Sequence, residues 1–78
     1  MYFVYMLKCS DETLYTGITT DLTRRVQEHN SSDKGAKYTK DRRPVKLIYK
    51  EECEDRSIAS KREYAIKKMS KAKKLELI

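Results

Sequence analysis

The sequence has 78 residues, of which 38% are hydrophobic and 38% are charged, and its net charge at pH 7 is +6. This length suits one small domain spanning residues 1–78, and the hydrophobic content is too high for a disordered tail. No run of about 18 apolar residues is present, which excludes an ordinary membrane-spanning helix, and we expect no membrane association.

The first predicted elements are two strands that form a hairpin. Residues 2–9 are apolar, aromatic or β-branched in a run too short for a typical helix, and residues 13–18 are rich in Thr, Tyr and Ile. The polar residues between them favour a tight turn and an antiparallel pair. With a turn of three residues, Tyr5 and Tyr15 face the same side of the hairpin. They are then either core tyrosines or part of a proton-transfer cluster.

The next predicted element is a helix over residues 22–29 with Asp21 as its N-cap. Four residues at spacings 0, 3, 4 and 7 share one stripe that faces the core: Leu22, Arg25, Val26 and His29. Arg24 points away from this stripe. Arg25 keeps its charge and therefore needs an anion, either a protein carboxylate or a substrate phosphate.

His29 is the only histidine of the chain. It is either a hydrogen-bonded structural group beside the core or a proton shuttle, because its ordinary pKa of roughly 6.5 allows it to titrate near neutral pH. The helical pattern does not separate these two interpretations.

The remaining elements are a short helix, a strand, a longer helix and one or two final helical turns, with predicted bounds 33–39, 45–49, 56–69 and 70–78. The strand alternates apolar and basic residues, which predicts one covered face, although Ile48 departs from the alternation. Asp55 is the predicted N-cap of the longer helix, and Leu75 and Ile78 are expected to dock on the core. The fold class is α/β of the α+β type, a three-stranded antiparallel sheet flanked by helices in the order β-β-α-(α)-β-α(-α).

Glu63 lies in the basic part of the longer helix. One interpretation is an i,i+4 ion pair with Lys67. The other is a metal ligand, because a carboxylate binds Mg²⁺ through one oxygen while waters complete the octahedron. The helical wheel places Glu63 on the flank of the apolar side and Arg62 nearer its centre, and a flank position suits both interpretations.

The basic residues fall into two blocks, residues 34–50 and residues 56–74, and such blocks attract polyanions, although a basic helix face is often only solvated. In the first block Tyr38 and Tyr49 are interleaved with six cations: Lys37, Lys40, Arg42, Arg43, Lys46 and Lys50. Stacking surfaces among cations fit nucleic acid. The two cysteines form no metal-ligand spacing and are expected to be reduced, and no signal peptide pattern is present, so a cytoplasmic location is expected.

Taken together, these positions resemble the GIY-YIG endonuclease superfamily over nearly the whole chain. The two name-giving motifs correspond to Phe3-Val4-Tyr5 and Tyr15-Thr16-Gly17. The family's arginine follows that glycine by eight residues, its histidine follows four later, and its glutamate lies in the long helix, which gives Arg25, His29 and Glu63. The small standalone branch is the most similar, with the segments Gly35-Ala36-Lys37-Tyr38-Thr39 and Arg43-Pro44-Val45-Lys46-Leu47.

The resemblance implies a metal-dependent phosphodiesterase that hydrolyses nucleic acid, with DNA favoured over RNA, by a one-metal in-line mechanism. Glu63 would hold Mg²⁺ or Mn²⁺, and Arg25 would grip the scissile phosphate. Tyr5 or Tyr15 would take the proton of the attacking water, with a pKa lowered by Arg25, a charged His29 or the metal. The residues that would hold the nucleic acid backbone are Lys37, Tyr38, Lys40, Arg42 and Arg43.

Two other functions remain open from the sequence. The first is a non-catalytic basic module that binds DNA or RNA. The second is a protein-interaction domain whose basic helix docks an acidic partner. Larger members of the superfamily carry an additional DNA-binding domain, which these residues do not contain, so we expect low sequence preference or a protein partner that supplies specificity.

Overall fold

The computed structural model describes residues 1–31 and 34–78. The described residues form three strands and four helices in the predicted order: β1 (Tyr2–Lys8), β2 (Leu14–Thr19), α1 (Leu22–Ser31), α2 (Lys37–Lys40), β3 (Lys46–Cys53), α3 (Arg56–Lys67) and α4 (Lys71–Glu76). The predicted α+β class with a three-stranded antiparallel sheet is confirmed. Asp33, within the predicted short helix, lies outside the described residues.

The sheet has the strand order β2-β1-β3, and both neighbours of β1 run antiparallel to it. In the hairpin Tyr5 pairs with Gly17, and Tyr15 pairs with Leu7. Because directly opposed residues in an antiparallel pair point to the same face, Tyr5 and Tyr15 share one face, as predicted.

Helices cover both faces of the sheet. On one face, Val4 and Met6 of β1 pack against Ala59 and Ile66 of α3. On the other, the apolar cluster joins β-sheet residues to α1 and is formed by Tyr5, Leu7, Cys9, Val45, Tyr15, Leu22, Val26 and Leu47. Burying each large apolar side chain stabilises the fold by roughly 1.5–3 kcal/mol, so both helical layers are held to the sheet mainly by burial.

The prediction that β3 has one covered face is wrong. The pairing register between β1 and β3 shifts between Met6 and Leu7, which pair with Tyr49 and Leu47. Ile48 is the extra residue of this β-bulge, and the bulge places Leu47 against α1 and Tyr49 against the α3 side. The departure of Ile48 from the alternation therefore has a structural cause.

Two predicted element ends were too early. Helix α1 continues through Asn30 and Ser31, because the Asn30 side chain pairs with the backbone of Val45 in both directions, accepting at 2.7 Å and donating at 3.1 Å. Strand β3 continues to Cys53, because β1 pairs with it as far as Tyr2.

Other predicted bounds also differ. Strand β1 ends at Lys8, one residue before its predicted end. The second helix, predicted over 33–39, is α2, which begins and ends later than predicted. Helix α3 begins as predicted, with the Asp55 carboxylate accepting from the Ile58 amide at 2.9 Å, but it ends at Lys67. A new helix, α4, then begins after its own cap, Ser70.

The docking expected of Leu75 and Ile78 is wrong, because their exposed fractions are 45% and 63%. Leu77 packs on the core in their place, beside Met69. Both cysteines are buried free thiols, as predicted. Within residues 1–31 and 34–78 no helix combines the length and apolar character needed to cross a membrane.

Candidate active site

The phenol of Tyr5 lies across Gly17 on the face of the sheet that α1 covers. Tyr5 is 1% exposed. A Cβ atom on Gly17 would lie 2.6 Å from the Tyr5 hydroxyl oxygen and 2.8 Å from Cζ. Gly17 therefore leaves the space that the tyrosine occupies.

Helix α1 brings His29 to the Tyr5 hydroxyl. The helix starts as predicted, since the Asp21 carboxylate accepts from the Arg24 amide at 3.0 Å. His29 is fully buried, and its Nε2 lies 2.8 Å from the Tyr5 hydroxyl, while its Nδ1 lies 2.9 Å from Thr39 Oγ1. The histidine is therefore held by hydrogen bonds at both ring nitrogens.

Burial keeps both groups of the Tyr5–His29 pair neutral at pH 7. It lowers the pKa of His29 to about 4, and the positive charges of Arg25 and Arg43 act in the same direction. It also raises the pKa of Tyr5 to about 12, although Arg25 opposes this shift. Arg25 therefore acts on the pKa of Tyr5 in the expected direction, but burial outweighs it. His29 carries no charge at pH 7 and does not contribute to the expected lowering.

Arg25 lies beside this pair with 24% of its side chain exposed. Its Nη1 donates to Glu28 Oε1 at 3.0 Å and to the Lys34 carbonyl at 2.8 Å, and the guanidinium acts to lower the pKa of Tyr5. The interpretation that Arg25 pairs with a protein carboxylate is therefore correct for its Nη1 nitrogen. The neighbouring Arg24 side chain is 61% exposed and points away, as predicted.

A row of aromatic rings leads from the buried pair to the surface. The Tyr15 ring is 5.1 Å from that of His29 and 6.5 Å from that of Tyr5, measured between centroids. On its other side Tyr38 follows at 5.8 Å and is 39% exposed. The Arg42 guanidinium lies 4.1 Å above the Tyr38 ring, as a cation–π contact.

The two arginines predicted to hold nucleic acid are engaged within the protein. Arg42 donates to Asp11 at 3.0 Å and to the Tyr38 carbonyl at 2.8 Å. Arg43 donates to the His29 carbonyl at 2.6 Å and so binds the C-terminal end of α1. Lys37 and Lys40 are exposed. The role of all these residues in binding nucleic acid stays a prediction.

Glu63 lies on α3, the helix that covers the opposite face of the sheet. Its Oε2 is 3.2 Å from Lys67 Nζ, and 22% of its side chain is exposed. The i,i+4 ion pair considered from the sequence is therefore present. In the described part of the chain no hydrogen bond or ion pair joins Glu63 to Arg25 or His29, but its charge contributes to the environment of the Tyr5 hydroxyl.

The donor set at Glu63 suits one type of metal ion. Among the described residues no group of three or more His, Cys, Asp or Glu side chains lies close enough to hold a metal. This excludes a zinc site built from protein ligands there. A single carboxylate fits Mg²⁺ or Mn²⁺, because Mg²⁺ keeps several waters and takes its remaining ligands from substrate phosphates.

Sequence reasoning missed two residues of the site. Glu28 lies three residues after Arg25, so its ion pair was visible as an i,i+3 spacing. Thr39 carried no such signal, because its contact with His29 depends on how α2 folds back on α1. Gly35 permits that approach, since a Cβ there would lie 2.6 Å from the Glu28 carbonyl oxygen.

The sequence matches a family model described as the GIY-YIG catalytic domain over residues 1–76. It is 62% identical over 77 residues to a UPF0213 protein of Desulfotalea psychrophila, covering 99% of this chain and 70% of that protein. A UPF0213 protein of Staphylococcus aureus is 56% identical over 77 residues, covering 99% and 93%. Neither relative's name states an activity.

Two solved structures are also similar. The solution NMR structure of a UPF0213 protein from Bacillus halodurans has a TM-score of 0.61 and 42% identity, covering 99% of this chain and 82% of that one. The solution NMR structure of a protein from E. faecalis has a TM-score of 0.64 and 46% identity, covering 97% and 81%.

Proposed function

Since the chain belongs to the GIY-YIG catalytic-domain family, we propose that it is a metal-dependent endonuclease that hydrolyses phosphodiester bonds in nucleic acid, with DNA favoured over RNA. The observation that carries this proposal is the cluster of Tyr5, Tyr15 and His29 with the Arg25 guanidinium beside it. It combines hydroxyl groups that can contact an attacking water with a cation that can bind a phosphate.

Arg25 would bind the scissile phosphate. Its contacts with Glu28 and the Lys34 carbonyl both use Nη1, so they hold the guanidinium in place while other donors remain for an anion. A donor that is oriented in advance stabilises charge developing in the transition state without a reorganisation cost. The arginine also keeps its proton at every working pH.

Glu63 would hold Mg²⁺ or Mn²⁺, which stabilises the charge on the leaving oxygen. The ion pair with Lys67 is no obstacle, because half of the lysine side chain is exposed and such i,i+4 pairs contribute only about 0.3–0.5 kcal/mol. Glu63 would therefore give up this contact at little cost on binding a divalent ion.

Tyr5 or Tyr15 would contact the attacking water and receive its proton. A neutral phenol can take that proton only as it passes its own proton on, and for Tyr5 the acceptor would be His29 Nε2, 2.8 Å away. The phenols lie on the same face of the hairpin, and His29 touches both rings. The exposed end of the aromatic row is Tyr38, whose ring would stack on a base of the nucleic acid. Lys37 and Lys40 lie next to it and would bind the nucleic-acid backbone by charge.

The test is cleavage of fluorescent nicked, branched and duplex DNA, and of RNA, with and without Mg²⁺. Arg25→Ala is expected to lower kcat on the order of 100-fold or more, by analogy with the loss of a transition-state donor. Arg24→Ala is the matched control, because Arg24 also contacts Glu28 but faces solvent. Equal cleavage by Arg25→Ala and wild type would end the catalytic assignment.

The metal assignment has its own pair of variants. Glu63→Gln is expected to abolish both cleavage and the binding of Mn²⁺ measured by electron paramagnetic resonance. Lys67→Gln removes only the competing cation, so it should bind Mn²⁺ at least as tightly as wild type and still cleave. Unchanged Mn²⁺ binding by Glu63→Gln would rule out this ligand.

A second candidate is a nucleic-acid-binding module without catalysis. It is favoured by the internal partners of the two key charges, since Arg25 pairs with Glu28 and Glu63 pairs with Lys67. This candidate predicts that the protein binds nucleic acid equally well with and without Mg²⁺, and that the DNA stays uncleaved in the same assays.

A further inference from the structure

A continuous line of hydrogen bonds runs from Tyr5 into the loop before α2. The Tyr5 hydroxyl lies 2.8 Å from His29 Nε2, and His29 Nδ1 lies 2.9 Å from Thr39 Oγ1. Thr39 Oγ1 in turn lies 2.9 Å from the Ala36 carbonyl oxygen. Tyr5, His29 and Thr39 are at most 1% exposed, so bulk water does not compete for these bonds.

The last bond of this line fixes the direction of the others. A carbonyl oxygen only accepts, so Thr39 must donate its single hydroxyl proton to Ala36. The Thr39 oxygen is then an acceptor toward His29, and Nδ1 must carry the ring proton. A neutral imidazole has one N–H, so Nε2 is left as an acceptor for the Tyr5 hydroxyl.

One contact favours the opposite arrangement, and a nearby charge favours this one. The Ala36 amide points at His29 Nδ1, which would suit an unprotonated nitrogen, but the distance of 3.4 Å lies beyond the usual range of hydrogen bonds. The positive charge of Arg25 acts on the Tyr5 hydroxyl. It favours a hydroxyl that turns its lone pairs toward Arg25 and its proton toward His29.

We propose that Thr39 is a positioning residue that holds His29 in the Nδ1–H tautomer. The Tyr5 hydroxyl then donates a hydrogen bond to His29 Nε2 and presents only its lone pairs to the site. In the other tautomer His29 Nε2 would donate to Tyr5, and the Tyr5 hydroxyl would donate its hydrogen bond into the site. The catalytic consequence rests on the proposed function: with this arrangement Tyr5 accepts a hydrogen bond from the attacking water and does not donate one to the phosphate. The neutral state of His29 at pH 7 agrees with it.

The test is the protonation state of the imidazole, read directly by NMR. Because the chain has a single histidine, long-range ¹H–¹⁵N correlations of ¹⁵N-histidine-labelled protein need no assignment. Wild type at neutral pH is expected to show a protonated Nδ1 and a bare Nε2. A protonated Nε2 in wild type would overturn the proposal, whether or not the protein cleaves nucleic acid.

Two variants test the role of the hydroxyl. Thr39→Val keeps the shape and removes the hydroxyl, and it is expected to shift the tautomer toward Nε2–H and to lower kcat on the order of tenfold or more with KM little changed. Thr39→Ser restores the hydroxyl and should restore both readouts. An unchanged tautomer in Thr39→Val would contradict the proposal. A wild-type protein with the expected tautomer but no cleavage would count against the proposed function alone.

Discussion

Gly17 tests how tightly Tyr5 is held. Gly17→Ala would place a Cβ atom 2.6 Å from a hydroxyl that His29 fixes at 2.8 Å, so the phenol cannot move away without losing that bond. We expect the substitution to lower the free energy of unfolding by about 1–3 kcal/mol, the usual cost of overpacking a buried site. Urea denaturation followed by circular dichroism measures this change.

The neighbouring Thr20→Ala is the control for Gly17→Ala, because Thr20 is exposed and just beyond β2. It should stay within about 0.5 kcal/mol of wild type. A Gly17→Ala protein that is as stable as this control and keeps the Tyr5–His29 bond would show that the pocket is looser than the distances indicate.

His29 predicts an acid-sensitive fold. Its pKa is lowered to about 4 in the folded protein, chiefly by burial, against 6.5 for an ordinary histidine. As the pH falls below about 6.5, the unfolded chain binds a proton that the folded protein does not bind. The free energy of unfolding therefore falls until about pH 4, by on the order of 3 kcal/mol. Urea denaturation across this interval measures the slope.

The matched variant is His29→Gln, which keeps polar atoms at the position and removes the titration. Its stability should vary less between pH 7 and pH 4 than that of wild type, since carboxylates titrate in both proteins. Parallel pH profiles for the two proteins would mean that His29 is not buried as a neutral group.

At the scale of elements, Arg62 joins α3 to β3. Its Nε lies 3.0 and 3.1 Å from the two carboxylate oxygens of Glu51, which also accepts from the Tyr49 hydroxyl at 2.6 Å. About a third of each charged side chain is exposed, so solvent weakens the pair. Arg62→Met keeps the packing and is expected to lower the free energy of unfolding by about 1 kcal/mol.

The exposed pair of Lys73 and Glu76 supplies the comparison. Both side chains are more than two-thirds exposed, and the charged atoms are 3.6 Å apart. Lys73→Met should change stability by less than about 0.5 kcal/mol. Equal effects of Arg62→Met and Lys73→Met in urea titrations would show that Glu51 contributes no more than a surface charge.

Elements whose cause is local were predictable from the sequence. The caps Asp21 and Asp55 act through amides within three residues, and both were identified. One local signal was missed, since the Ser70 side chain caps α4 by accepting from an amide of its first turn. The errors at α1 and β3 lie where a distant segment decides. The end of α1 depends on Asn30 reaching Val45, and the length of β3 depends on its pairing with β1. No local pattern contains that information.

The same division holds for the candidate site. Helical spacing placed His29 and Arg25 on the core side, and hairpin parity placed Tyr5 and Tyr15 together. Burial then changed the chemistry, because the pKa of a phenol or an imidazole depends on surroundings that form only when the sheet and helices assemble. The link to Thr39 depends on the same assembly and so was not visible.

For the whole molecule, the distribution of charge is uneven. Residues 56–76, which contain α3 and α4, hold eight basic and two acidic residues, a surplus of six that equals the net charge of the entire chain. The rest of the chain is balanced. Within it, residues 34–50 hold a surplus of the same size, with seven basic residues and one acidic residue, so the positive field has two sources. On the α3–α4 side Lys61 and Lys68 are exposed.

This asymmetry predicts how salt affects encounter with DNA. The double variant Lys61→Gln, Lys68→Gln lowers the net charge by two and should slow association, measured by stopped-flow fluorescence, about three- to tenfold at low salt, with kcat at saturating DNA unchanged. The difference should vanish near 1 M salt, where the Debye length is only about 3 Å.

The exposed acids Glu52 and Glu54 provide the reverse control, because changing both to Gln raises the net charge by two and should accelerate association. If neither double variant changes the association rate at low salt, local contacts, and not the field of α3 and α4, bring the nucleic acid to the protein.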